Sequence, residues 1–507
     1  MSSRQARIRW GLAKEFDMTR ANFGHRNTAG KAAALWLVLC LLYVGGCAVG
    51  PNFFRPQTAV PDAWVGASAV STTQPSTAET DLRQWWTAFG DAKLTSLIEQ
   101  ASSSNLDLRI ATSRIHQARA SRGIAASGIG PTVDASGSFR RSQASAGDRD
   151  VKSPTVNNYQ TGFDAGWEID IFGGVRRGIE AADAELQATV ENRRDILVTL
   201  AAEVARNYVD LRTYQQRLDI ARKNLQAQKH SAELTRKRFK GGFVSGLDVA
   251  NAEALVATTE AQIPLLESSA RQTIYALSVL LDREPGALVS ELSEAGGIPA
   301  APPVVPVGLP SDLLRRRPDI RLAEADIHAA TAQIGVATAD LFPRVTINGS
   351  IGWSTTRPAD LFNPLSRFWS FGPSVTWNLF QSGRTLSNIE VQKTLQEQSI
   401  LSYRKTVLTA IQEVENALIA SAKEQEHRKS LQAAVAANRK AADLATQLYT
   451  EGHTDFLNVL SAQRSLYSSE DALAQSTQAM AVELIALYKS LGGGWEEVQA
   501  VASGQER

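Results

Sequence analysis

The sequence predicts a mostly α-helical chain with a small transmembrane β part, assembled from two copies of one unit. Three observations carry this expectation. Landmarks recur about 210 residues apart, each copy holds a proline-free helical pattern of about 65 residues, and each holds two stretches of strict alternation, which makes four candidate strands.

The N-terminus reads as an address. Residues 1–31 carry seven Lys or Arg against two acids, Glu15 and Asp17, and residues 32–44 then run almost entirely apolar up to Gly45-Gly46-Cys47. Charged, apolar and then small residues are the order of an export signal. The apolar run is about 13 residues, against the roughly 20 of a bilayer-crossing helix, which favours removal over an uncleaved anchor. Residues 42–47 resemble a bacterial lipobox, which implies a signal peptide over 1–46 and a diacylglycerol on Cys47; a chance cysteine is the alternative. Position 48 is Ala rather than the Asp that retains lipoproteins at the inner membrane, so the resemblance sends the anchor to the outer membrane. A start at Met18 would shorten the charged region, so nothing is built on residues 1–17. Removing 1–46 takes away seven bases and two acids and leaves about −4 on the mature chain.

Composition excludes several classes of function. Lys plus Arg number 53 and Asp plus Glu 52, with no dense basic stripe, so nucleic acid is not expected as a partner. The two cysteines are Cys40 and Cys47, which leaves the body of the chain without disulfides, thiol nucleophiles or thiolate metal sites.

An irregular segment over 47–90 opens the mature chain. The first repeat, 91–284, begins with a helical pattern over 91–126. Val133, Ala135, Gly137 and Phe139 then alternate, and after a polar loop so do Tyr159, Thr161, Phe163, Ala165, Trp167, Ile169 and Ile171. A long helical pattern follows over 175–239, with Leu197, Val204, Leu211, Leu218 and Leu225 at every seventh position, a spacing for left-handed helix packing. About 65 residues at 1.5 Å each make a rod of roughly 100 Å. The rod ends at Gly241-Gly242, and a return helix runs to Leu281.

A connector over 285–317 holds six prolines between Pro285 and Pro310, too many for a continuous helix or central strand. The second repeat, 318–491, answers the first. Pro318-Asp319-Ile320-Arg321 lies 212 residues after Leu106-Asp107-Leu108-Arg109, and Glu413-Val414, Gly452 and Leu457-Asn458-Val459 lie 210 after Glu203-Val204, Gly242 and Leu247-Asp248-Val249. Its strands run from Val345 to Trp353 and from Trp369 to Leu379, its rod from Arg384 to Tyr449, and a tail occupies 492–507.

Four strands in one chain leave two unpaired edges. In lipid that is prohibitive, because spanning strands must close into a barrel. Strand lengths of about 10 to 13 residues suit a membrane. Eight strands would be filled by side chains, whereas about twelve begin to leave a lumen, and a cyclic trimer is the smallest assembly that supplies them. One half of a soluble sandwich is the alternative.

At this point the sequence resembles the TolC-like outer-membrane efflux family, in its lipoprotein branch similar to OprM and NodT. The resemblance rests on Gly46-Cys47-Ala48-Val49-Gly50-Pro51-Asn52-Phe53 with Arg55-Pro56, Trp85-Trp86 with Phe89 and Asp91, Arg316-Arg317-Pro318-Asp319-Ile320, and Phe342-Pro343 before a strand. It implies a homotrimer whose shared twelve-stranded β-barrel in the outer membrane continues as an α-helical tunnel. It also implies passive conduction without cofactor, and three kinds of partner: outer-membrane lipid, a periplasmic adaptor and an inner-membrane pump of the resistance-nodulation-division type. Closure in this family lies at the turn after each long helix. That stretch holds Gly242, Leu247, Asp248 and Asn251 in the first copy and Gly452, Leu457, Asn458 and Ser461 in the second. Family members often carry aspartates at the positions of Asn458 and Ser461; this chain does not, so Leu457 becomes the candidate for an apolar constriction. Helix-packing core is the alternative for Leu457.

Enzyme readings find little support. The six histidines (His25, His116, His230, His328, His427, His453) are scattered, and no phosphate loop or Gly-x-Ser-x-Gly elbow occurs. Two other readings stay open: a lipid-anchored, periplasm-spanning coiled-coil protein, and an exit duct for protein secretion. Substrate identity is not written in this chain.

Overall fold

The computed structural model describes residues 48–66, 82–143, 145, 155–300 and 308–496. The expected signal peptide, Cys47 and most of the tail lie outside these residues. The order is α1 (Ala92–Ser104), α2 (Leu106–Ser127), β1 (Thr132–Gln143), β2 (Thr155–Ile169), α3 (Gly174–Lys240) and α4 (Gly246–Leu280). The connector ends in α5 (Pro310–Arg316), and after it come α6 (Pro318–Ala339), β3 (Arg344–Thr355), β4 (Arg367–Thr376), α7 (Arg384–Glu451) and α8 (Phe456–Ser490).

The duplication is visible element by element. α2 and α6 have 22 residues each, α4 and α8 have 35 each, and the rods α3 and α7 have 67 and 68. Within each copy the return helix ends where the short helix begins, so α4 is continued by α2, and α8 by α6, alongside the rods. Asn105 Nδ2 donates to the Leu280 carbonyl at 2.9 Å at the first junction, and Arg317 Nη1 donates to the Ser490 carbonyl at 2.9 Å at the second.

Two expectations need correction. The helical pattern over 91–126 is two helices, because Asn105 leaves helical geometry and its Oδ1 accepts from Asp107 and Leu108 as the N-cap of α2. β2 stops at Ile169 and the last strand at Thr376, so Ile171, Trp377 and Leu379 alternate beyond the ladder rather than within it.

All four strands form one antiparallel sheet in the order β1-β2-β3-β4, and β2 on β3 joins the hairpins of the two copies, with Phe163 opposite Ile351. One face carries Val133, Phe139, Phe163, Ile351, Trp369, Phe371 and Val375, all between 53% and 78% exposed in the protomer. The other presents Asp134, Ser136, Asp164, Ser350 and Ser370, since residues of like parity share a face. Among the described residues no second sheet covers either face.

The main core sits near the middle of the rods. Leu197, Val204, Tyr208 and Leu211 of α3 meet Val407, Val414 and Leu418 of α7, Leu484 and Tyr488 of α8, and the Trp85-Trp86-Phe89 turn. A smaller cluster of Ala232, Leu255, Tyr449, Phe456, Val459 and Leu460 closes the far tip. Leu218 and Leu225, which share the heptad register, lie between the two and are half-buried.

Candidate functional site

The eight tip positions lie at matching places on the two hairpins, at the end of the rods remote from the sheet. α3 runs out on Lys237, Arg238 and Lys240, cations that suit the negative end of a helix. Gly242 takes the left-handed conformation, with φ of 78°, that reverses the chain there. Ser245 then caps α4 reciprocally with Asp248: the Ser245 N–H donates to Asp248 Oδ2 at 3.0 Å and the Asp248 N–H to Ser245 Oγ at 3.3 Å. Leu247 is 69% exposed, and Asn251 is half-buried.

In the second hairpin Gly452, with φ of 83°, ends α7 while the His453 N–H donates to the Leu448 carbonyl at 2.8 Å. Phe456, Val459 and Leu460 turn inward on the first turns of α8. Leu457 is 65% exposed, and Asn458 and Ser461 are exposed beside it. Within the protomer, then, the packing residue at this turn is Phe456 and not Leu457. Asn458 Nδ2 donates to Thr454 Oγ1 at 2.7 Å, which anchors the amide to its own turn.

Sequence reasoning missed the seam between the hairpins. Arg238 stacks 4.7 Å above the Tyr449 ring and donates to the Tyr449 carbonyl. The Tyr449 hydroxyl donates to Thr235 Oγ1 at 3.1 Å, and Gln463 Nε2 to Ser231 Oγ at 2.8 Å. Farther along the rods Asn224 reaches Glu470 at 3.0 Å, and Arg217 grips Asp471 through two bonds of 2.7 and 3.1 Å. Gln228 is 2% exposed with neither amide atom bonded, so the seam is polar and incompletely satisfied. The only available signal was Tyr449 standing 210 residues after Phe239, a hydroxyl added at a matched helix end.

The sheet is fastened to the helices at two matched points. Trp167 Nε1 donates to the Ile129 carbonyl at 2.7 Å and Trp377 Nε1 to the Leu341 carbonyl at 3.0 Å, each indole tying the foot of a hairpin to the end of α2 or α6. Such tryptophans, half wet and half apolar, are the kind found at a membrane boundary. Among the described residues no group of three His, Cys, Asp or Glu is placed to hold a metal ion.

Residues 97–282 and 309–493 match the family model described as outer membrane efflux protein. The chain is 35% identical to nodulation protein T of Rhizobium leguminosarum bv. trifolii, over 90% of this chain and 96% of that one. It is 33% identical to the pyoverdine export outer membrane protein OpmQ of Pseudomonas aeruginosa, over 91% and 97%. Its fold superposes on the outer-membrane channel OprN with a TM-score of 0.83 at 37% identity, covering 89% of this chain and all of that one. With its duplicated rods, its single sheet with one apolar and one polar face, and this similarity along nearly its whole length, the chain belongs to the outer membrane efflux protein family and serves as an outer-membrane efflux channel.

Proposed function

We propose that this protein is the exit duct of a tripartite efflux system, a passive homotrimeric channel for drugs or other small molecules. An adaptor docks on its tip, and a resistance-nodulation-division pump powers the export. The observation that carries the reading is the four-stranded sheet, apolar on one face, polar on the other and open at β1 and β4. Three copies would pair β4 of one with β1 of the next, closing twelve strands around a polar lumen as lipid requires. The rods, at 67 and 68 residues, supply about 100 Å of tunnel.

Cys47 carries the lipid in this reading. Its support is the lipobox, together with the Val49 N–H donating to the Phe172 carbonyl at 3.0 Å, which brings the start of the described chain to the foot of the sheet. The repeats 91–284 and 318–491 form the wall, and the connector 285–317 lies between them. The gate is assigned to Leu457 with Asn458 and Ser461, and to Leu247, Asp248 and Asn251 beside them, with Gly242 and Gly452 shaping the turns. Exposure of both leucines in the protomer supports the assignment.

Single-channel recording in a planar bilayer tests the whole. Discrete conductance steps are expected, and Leu457→Ala is expected to raise conductance or open probability. A folded trimer that stays silent with both sequences would sink the channel, whereas steps unchanged by Leu457→Ala would remove Leu457 from the gate.

A further inference from the structure

The segment that begins the described chain is seated rather than draped. Residues 48–55 occupy the groove between α3 and α6, and the seat is built from both helices. Arg177 of α3 is 3% exposed, and its guanidinium addresses three successive points of the segment. Nε donates to the Val49 carbonyl at 3.2 Å, and Nη2 donates to the Gly50 carbonyl at 3.4 Å and to Asn52 Oδ1 at 2.7 Å. The remaining arm, Nη1, donates to Glu180 Oε2 at 2.7 Å, which fixes the plane of the fork.

Gly335 of α6 makes room for this arrangement. A Cβ there would stand 2.7 Å from Arg177 Cγ, and a Cβ on Gly50 would stand 2.5 Å from Gly335 Cα. Gly50 also has φ of 91°, so a side chain there is excluded by conformation as well as by space. Farther from the sheet, Phe53 stacks on His328 with ring centroids 4.5 Å apart, and Arg55 meets Glu324 at 2.8 Å. Trp64 Nε1 then donates to the Gly308 carbonyl at 3.0 Å, and Glu415 of α7 accepts the Val65 and Gly66 N–H groups at 2.8 and 2.7 Å.

We propose that Arg177 is a positioning residue that turns residues 48–55 into a rigid strap and thereby holds the acylated N-terminus at the foot of β2. The proposal rests on the reading of Cys47 as acylated. Without the seat, the stretch from Cys47 to Trp64 would be a slack tether able to reach about 55 Å. With it, the acyl chains enter the bilayer two residues from the Val49–Phe172 bond, beside the sheet that must insert there.

The chain has no thiol after Cys47, so Phe54→Cys, at a side chain 81% exposed, accepts a single nitroxide in the full mature protein in liposomes. The expected spectrum is immobilised. In that background Gly50→Val and Arg177→Ala are each expected to shift it to a mobile one, with Arg177→Lys between. A label at Phe243→Cys, on the remote tip, is expected to stay unchanged, and palmitate incorporation is expected to persist in every variant. Gly50→Val leaves Arg177 in place and forces the strap away from Gly335, so it decides the matter if Arg177→Ala fails to accumulate. A label mobile in the parent, or immobile in both variants, would overturn the seat. Absence of palmitate from the parent would overturn the acylation of Cys47 and the anchoring role with it, while an immobilised label would leave the seat standing.

Discussion

The two junctions at which a return helix meets a short helix occupy equivalent places in the two copies and are built from different chemistry. At the first, Asn105, 4% exposed, accepts from the N–H groups of Asp107 and Leu108 and gives its own amide N–H to the Leu280 carbonyl. Every bond that Asn105 makes is neutral and local to the helix ends. At the second, Arg317, 8% exposed, binds the Ser490 carbonyl but also Asp319 at 2.6 Å and Glu413 of α7 at 2.7 Å. Burial works against the Arg317 charge, yet Asp319 and Glu413 outweigh it and hold the guanidinium more firmly protonated than usual. The duplicated geometry was kept while its chemistry diverged, and the charged solution ties the rod α7 into the junction.

The sharpest way to break this contrast is Arg317→Met. It keeps the stem and removes the charge, leaving carboxylates and a carbonyl facing one another; a loss of roughly 3 kcal/mol is expected, read as a lower thermal midpoint. Asn105→Ala, at the neutral junction, removes a cap and one carbonyl bond and is expected to cost about 1–2 kcal/mol by the same measurement. Equal losses at the two junctions would show that the charge adds nothing. At the tip seam, Tyr449→Phe deletes only the bond to Thr235 and is expected to cost about 1 kcal/mol, with Arg238 still stacked on the ring.

The smallest effect concerns Asp195, which faces the charged junction from α3. Burial, and then the Asp319 charge, raise its carboxyl above the ordinary range. The folded protein therefore holds that proton more tightly than the unfolded chain does. Its cost is absent below the ordinary carboxylate pKa and complete above the raised one. Asp195→Asn is accordingly expected to raise the thermal midpoint at about pH 8, with the gain shrinking as the pH falls through the carboxylate range. A gain that persists in acid would assign the effect to packing instead.

Much of this architecture was legible because it is periodic. The rods and the faces of the sheet follow from spacings of seven and two, and the return at 210 residues needed only counting. The break at Asn105 escaped because apolar spacing continues across it, although Pro318, 212 residues after Leu106 and at the start of α6, marks the same boundary in the other copy. Trp377 was drawn into β4 because alternation reports the side on which a residue lies, not whether its backbone has a partner. The seam of Arg238 with Tyr449 and the seat of Arg177 on Val49 join residues more than a hundred positions apart, and no local pattern encodes such pairs.

The internal repeat also sets the size of the steps by which this wall can change. In the proposed trimer the sixfold-like ring around the axis alternates two kinds of position, so Leu247 and Leu457 supply six leucines while Asp248 and Asn458 supply three acids and three amides. A single codon change then alters half of a ring. A channel made of six identical chains would have to accept every such change six times over, whereas this one can adjust the charge of its opening three positions at a time while the matched positions hold the shape.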